Sequence, residues 1–147
     1  MSKNSTAALF TAAFLSAIAV FAAMPAAAST IVARIDLSEQ RMRVYVNGFQ
    51  RHSWAISTAR RGYRTPTGSY RPTRMHTMWY SRKYHMSPMP YSIFFKGGYA
   101  IHGTNEIRNL GRPASHGCVR LDPKNAKTLF QLVKQHGSGS TRIEISH

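Results

Sequence analysis

Cys118 is the single cysteine of the chain and lies within Ser115-His116-Gly117-Cys118-Val119-Arg120. A second histidine, His102, stands sixteen residues upstream at the end of an apolar run, Tyr99–Ile101. A thiol, two imidazoles and a guanidinium at this spacing suit acyl transfer to sulfur. That chemistry needs a nucleophile, a base, something to orient the base, and donors for an oxyanion. Cys118 is the only possible thiol. His102 or His116 can serve as base. His116 is two residues from Cys118 on a turn-prone Gly117, whereas His102 comes from another strand and can approach the thiol face to face, so His102 is favoured. The amides of Gly117 and Cys118 are candidate oxyanion donors. Arg120 can lower the thiol pKa or hold a substrate carboxylate. Asp122 is an obvious alternative partner for Arg120. No carboxylate stands beside either histidine, so a backbone carbonyl is the expected orienting group. A metal site on His102, His116 and Cys118 lacks a regular zinc spacing.

These residues have to be positioned by a small domain. The chain has 147 residues. Lys3 precedes an apolar run, Ala7–Ala23, broken only by Thr11 and Ser16; Met24-Pro25 and then Ala26-Ala27-Ala28 follow. This pattern predicts a secretory signal peptide over 1–28, cleaved after Ala28, and a mature domain over 29–147. The competing reading, a retained membrane anchor, suffers from a run shorter than the roughly 20 residues a span needs. In an exported protein a lone thiol is either incidental or reactive.

Charge restricts the partners. Twenty Lys and Arg face five Asp and Glu, a formal net charge of +15. Such a balance favours anionic partners or simply keeps the protein soluble. The basic residues run from Arg34 to Arg142 rather than forming an arm. Together with the leader, this points to anionic envelope polymers and not to nucleic acid.

Period-two alternation predicts strands over Ile31–Leu37, Arg41–Val46 and Phe49–Ser57, the last two joined at Asn47-Gly48. Trp54 and Ile56 are candidate core residues. Thr58–Arg64 reads as a basic loop, Thr65–Gly68 as a turn, and Ser69–Arg71 as a short strand. Arg74–Pro90, rich in Met and aromatics, reads as an irregular surface loop: a flap over a groove or a lid on one end of the core. Tyr91–Phe95 and Tyr99–His102 are strand-like, as are Val119–Leu121 and Thr141–Ser146. Asp122 caps a helix with Pro123 at its first position, Ala126, Leu129, Phe130 and Val133 on one face, and Gly137 as its stop. The sum is a mainly β domain with one helix after the cysteine.

The motifs Ile101-His102-Gly103-Thr104 and Ser115-His116-Gly117-Cys118-Val119-Arg120-Leu121 resemble the L,D-transpeptidase catalytic domain, the YkuD-type fold. Ile35–Ser38 with Gln40–Met42, Ser57-Thr58 with Thr65–Gly68, and Met89–Tyr91 extend the likeness over nearly all of 30–146. The resemblance implies a β-sandwich-like domain in which Cys118 is the nucleophile and His102 the general base. Ser115, His116, Gly117 and Arg120 would shape the acyl site. It implies attack on the L-to-D bond of a peptidoglycan tetrapeptide stem, loss of D-alanine, and transfer of the thioester to an amine. The amine would belong to a second stem or to a lipoprotein or outer-membrane protein. No cofactor or metal is implied, carbapenems would acylate the same thiol, and a periplasmic location is expected. The alternatives are an L,D-carboxypeptidase or other hydrolase using the same residues, and a non-catalytic envelope-binding protein.

Overall fold

The computed structural model describes residues 30–147, so the expected leader over 1–28 lies outside the described residues. Among the described residues, nine strands form two sheets. The first sheet contains β1 (Ile31–Asp36), β2 (Arg41–Val46), β3 (Phe49–Ala55), β4 (Gly68–Tyr70) and β9 (Thr141–Ser146), in the order β3-β2-β1-β9-β4. The second contains β5 (Arg74–Ser81), β6 (Ser87–Lys96), β7 (Tyr99–Gly103) and β8 (Val119–Leu121), in that order. The single α-helix among the described residues, α1 (Pro123–His136), packs against β6 and β7.

Alternation sends Ile31, Ala33, Ile35, Met42, Val44, Ile143 and Ile145 of the first sheet into one core. Ile93, Phe95, Ile101, Val119 and Leu121 meet them from the second sheet, with Ala126, Leu129 and Val133 of the helix. Removing these side chains from water is the main favourable term holding the sheets together. Ile56 is fully buried and Trp54 packs partly buried against the core. The β2–β3 turn follows its sequence, with Asn47 and Gly48 both at positive φ (51° and 82°), the geometry of a two-residue primed turn. The helix begins where expected: the Asp122 carboxylate accepts the Lys124 amide at 2.8 Å, and Gly137 closes the other end.

Arg74–Pro90 is not an irregular loop. It is most of a long antiparallel hairpin, β5 with β6, in register from Arg74↔Phe94 to Ser81↔Ser87. Two features mask it in the sequence. Met78 and Tyr80 are large hydrophobics left half-exposed, so the outward face does not read as polar. Pro88 and Pro90 would break a central strand, but β6 pairs with β7 only from Ile93 onward. Both prolines therefore sit where β6 has a neighbour on one side only, the edge position in which a strand tolerates proline.

Candidate active site

The site is built on the face of the second sheet turned away from the main core. Ile101 of β7 and Val119 and Leu121 of β8 point into that core. Alternation therefore turns Ala100, His102, Cys118 and Arg120 to the other face. Ala100 and Cys118 pack there with Met89, Phe94 and Trp79. β7 and β8 run parallel with His102 level with Arg120 and Ile101 level with Val119. His102 is thus one diagonal step from Cys118. Strand register and alternation place His102 and Cys118, the base and nucleophile expected from the sequence, on one face of the second sheet.

His102 is buried, 6% exposed, and its Nδ1 lies 2.7 Å from the Gly103 carbonyl oxygen. A carbonyl only accepts, so Nδ1 carries the proton and Nε2 keeps its lone pair. This is the backbone carbonyl expected in place of a third side chain. Burial, and to a lesser degree the positive charge of Arg120, holds the imidazole pKa down to about 4, against a partial rise from the Gly103 bond. The ring is neutral at pH 7.

The Cys118 thiol approaches the Gly98 carbonyl at 3.8 Å. Burial pushes its pKa above the usual thiol range, while the Ala100 amide and Arg120 pull the other way. The resting pair is therefore a neutral thiol with a neutral imidazole, not a preformed ion pair. Such a pair ionises sulfur only as the base takes the proton.

The turn carrying the thiol is braced from beneath. The fully buried Ser115 donates its hydroxyl to the Cys118 carbonyl at 2.6 Å and accepts the Gly117 amide at 3.0 Å. Thr65 donates to the Gly117 carbonyl at 2.8 Å and accepts the Ala59 amide at 3.1 Å. Gly117 has φ +132°, and a Cβ there would meet Tyr99 Cε1 at 2.7 Å and the Arg64 carbonyl at 2.9 Å. Only glycine fits. Ser57 bridges to Arg120 across the turn, and Thr58 takes the amides of Ala114 and Ser115 on its carbonyl. Thr58 is in turn held by buried Gln40, whose amide group donates to the Thr58 hydroxyl at 2.6 Å and accepts the Thr58 backbone N–H at 2.9 Å.

The Gly117 amide, one of the two candidate oxyanion donors, is engaged by the Ser115 hydroxyl. Arg120 does not pair with Asp122, which caps the helix; it binds Glu106 at 2.8 Å. His116 stands apart from His102. It is partly exposed at the rim, stacked on Tyr84 (4.3 Å between centroids, 9° between planes) and edge-on to Tyr63 (4.7 Å, 71°). Desolvation, then Arg60 and Arg120, lower its pKa. Tyr63, Tyr84 and Glu106 carry no site signal in the sequence: each is an ordinary residue until the fold sets it against the turn. Thr65 reads from the sequence only as part of a turn and of the family likeness. Among the described residues no group of three or more His, Cys, Asp and Glu side chains gathers at metal-binding range.

The domain thus consists of two sheets that carry a thiol, a buried neutral imidazole and a braced Ser-His-Gly-Cys turn. The L,D-transpeptidase catalytic-domain model matches residues 30–145, and the chain belongs to that family. It is 46% identical over 43 residues to the probable L,D-transpeptidase YbiS of Escherichia coli K12, a match covering 29% of this chain and 14% of that protein. It is also similar in structure to an L,D-transpeptidase from Xylanimonas cellulosilytica (26% identity, TM-score 0.67, 86% of this chain and 65% of that one). A likeness in fold extends to the enzyme from Stackebrandtia nassauensis (23%, TM-score 0.70, 82% and 57%). The chain thus spans less than two thirds of the length of these relatives.

Proposed function

We propose that this protein is a peptidoglycan L,D-transpeptidase of the cell envelope, with Cys118 as nucleophile and His102 as general base. The observation that carries the reading is the tautomer of His102: Nδ1–H is tied to the Gly103 carbonyl, so Nε2 is the acceptor on the sheet face shared with Cys118. In this mechanism Nε2 takes the thiol proton as sulfur attacks the carbonyl of the L-to-D bond in a tetrapeptide stem. The Cys118 amide receives the oxyanion. Protonated His102 returns the proton to the departing amine of D-alanine, leaving a thioester on Cys118. An acceptor amine then attacks the thioester, His102 again takes a proton, and the thiol is regenerated. Arg120, held by Glu106, stabilises sulfur's developing charge. The acceptor is a second stem or an envelope protein, and the 1–28 leader directs the domain to the periplasm.

The test is mass spectrometry of the full chain with a disaccharide-tetrapeptide, with and without excess amine. Loss of D-alanine with an amine-exchanged or cross-linked product is expected. Tripeptide alone under both conditions would identify a carboxypeptidase instead. Absence of both turnover and a Cys118 thioester would overturn the enzyme reading.

A further inference from the structure

The cations of this chain are not evenly answered by acids. On the outer face of the first sheet, Arg34 and Arg142 pair with Glu144, and Arg43 with Glu39. Asp36, in the same region, accepts the Ser38 and Glu39 amides. Three of the five acidic residues are therefore used there. At the rim of the site the acid is Glu106, and Arg120 holds it. Arg60 and Lys83 have no carboxylate within ion-pair distance among the described residues, and both are exposed.

These two cations are nevertheless held in place. The Arg60 guanidinium lies 5.0 Å from the centroid of Tyr63, and the Lys83 ammonium 5.4 Å from that of Tyr84. Tyr63 and Tyr84 are the two rings that enclose His116. The order across the rim is therefore cation, tyrosine, histidine, tyrosine, cation. The Arg60 amide donates to the Ser115 carbonyl at 3.0 Å, and Ala59 bridges to Ser115, so one cation is anchored to the turn that bears the nucleophile. The other comes from the tip of the β5–β6 hairpin. Cations fixed against aromatic faces retain their charge for a further partner. The central ring adds no competing anion.

We propose that Arg60 and Lys83 are specificity residues that receive carboxylates of the acyl donor, one on each side of the His116 stack. The site then selects donors carrying free carboxylates over the same peptides with those groups as carboxamides. This rests on the transpeptidase reading for the identity of the donor but not for the binding itself. Arg60 presents a planar fork suited to a carboxylate, Lys83 a point charge.

The experiment is calorimetric titration of the full chain with a tetrapeptide stem bearing free side-branch carboxylates, and with its carboxamide counterpart. Turnover of both is followed in parallel. The free acid is expected to bind about tenfold more tightly, a preference that shrinks at high salt. In the double variant Arg60→Gln/Lys83→Gln the two stems should bind within about twofold of each other. The exchanged pair Arg60→Lys/Lys83→Arg keeps both charges and should keep the preference, which controls for loss of folding. Equal binding of the two stems to the native chain, or an unchanged preference in the double variant, overturns the proposal. Selective binding without turnover of either stem overturns the transpeptidase reading and leaves this one standing.

Discussion

The two histidines of the site occupy opposite media, and the contrast supports the different roles proposed for them. His102 lies in the sheet, 6% exposed, with one nitrogen fixed by a carbonyl and its pKa held down to about 4. His116 sits at the rim between Tyr63 and Tyr84, partly exposed and surrounded by Arg60, Arg120 and Lys83. The Gly103 carbonyl gives the first a single tautomer and a defined lone pair, and burial keeps it neutral. Stacking gives the second a fixed plane. A base needs the former; a wall for a ligand needs the latter.

The strongest way to break this division is at the dry side. Cys118→Ala should reduce transfer to the uncatalysed level, and His102→Ala should lower kcat/KM by about 10²–10⁴-fold, checked by single-turnover release of D-alanine. His116→Ala should instead act mainly on KM. An equal loss of kcat in both histidine variants would erase the distinction.

The next effect is in stability. The His102 pKa of about 4 lies below its ordinary 6.5, so the unfolded chain binds a proton that the folded chain refuses in that window. Stability is full above about pH 6.5 and is lost as pH falls toward 4, by on the order of 3 kcal/mol. Denaturant melts between pH 7 and 4 should show this slope, and His102→Asn should flatten it. His116, more exposed, should contribute far less.

Ser115→Ala strips the Gly117 amide and Cys118 carbonyl of their partner in a buried turn and should cost about 1–3 kcal/mol, read from the urea midpoint. The smallest effect belongs to the rim. Tyr84→Ala removes one face of the His116 stack and should cost about 0.5–1.5 kcal/mol, with little change in the acid limb of activity. A shift of that limb would mean that the rim tunes the base.

Much of this was legible in the sequence, for a physical reason. Strands β1, β2 and β9 alternate cleanly because one face is buried and the other is wet. Asn47-Gly48 and Asp122-Pro123 carry their own backbone instructions. The β5–β6 hairpin was not legible, since Met78 and Tyr80 are apolar on its open face and two prolines occupy β6. In the site, residue types and spacing pointed to Cys118 and His102, and the lack of a carboxylate pointed to a backbone carbonyl. Which amide remains available, and which acid binds Arg120, depended on side-chain contacts that residue types alone do not fix: Ser115 folding back on Gly117 within the turn, and Glu106 reaching Arg120 across fourteen residues.

The parallel pairing of β1 with β9 has a kinetic consequence. Ile31 lies beside Thr141 and Ile35 beside Ile145, while the Arg34–Glu144 contact closes a sequence separation of 110 residues. β9 is an interior strand of its sheet, flanked by β1 and β4. The central seam of the sandwich therefore forms only after nearly the whole domain has been synthesised. A chain with such high contact order folds slowly and as a unit. A ribosome-bound chain lacking its last strand should remain open to proteases, and the thiol turn, braced from loops on both sides of that seam, should be assembled late.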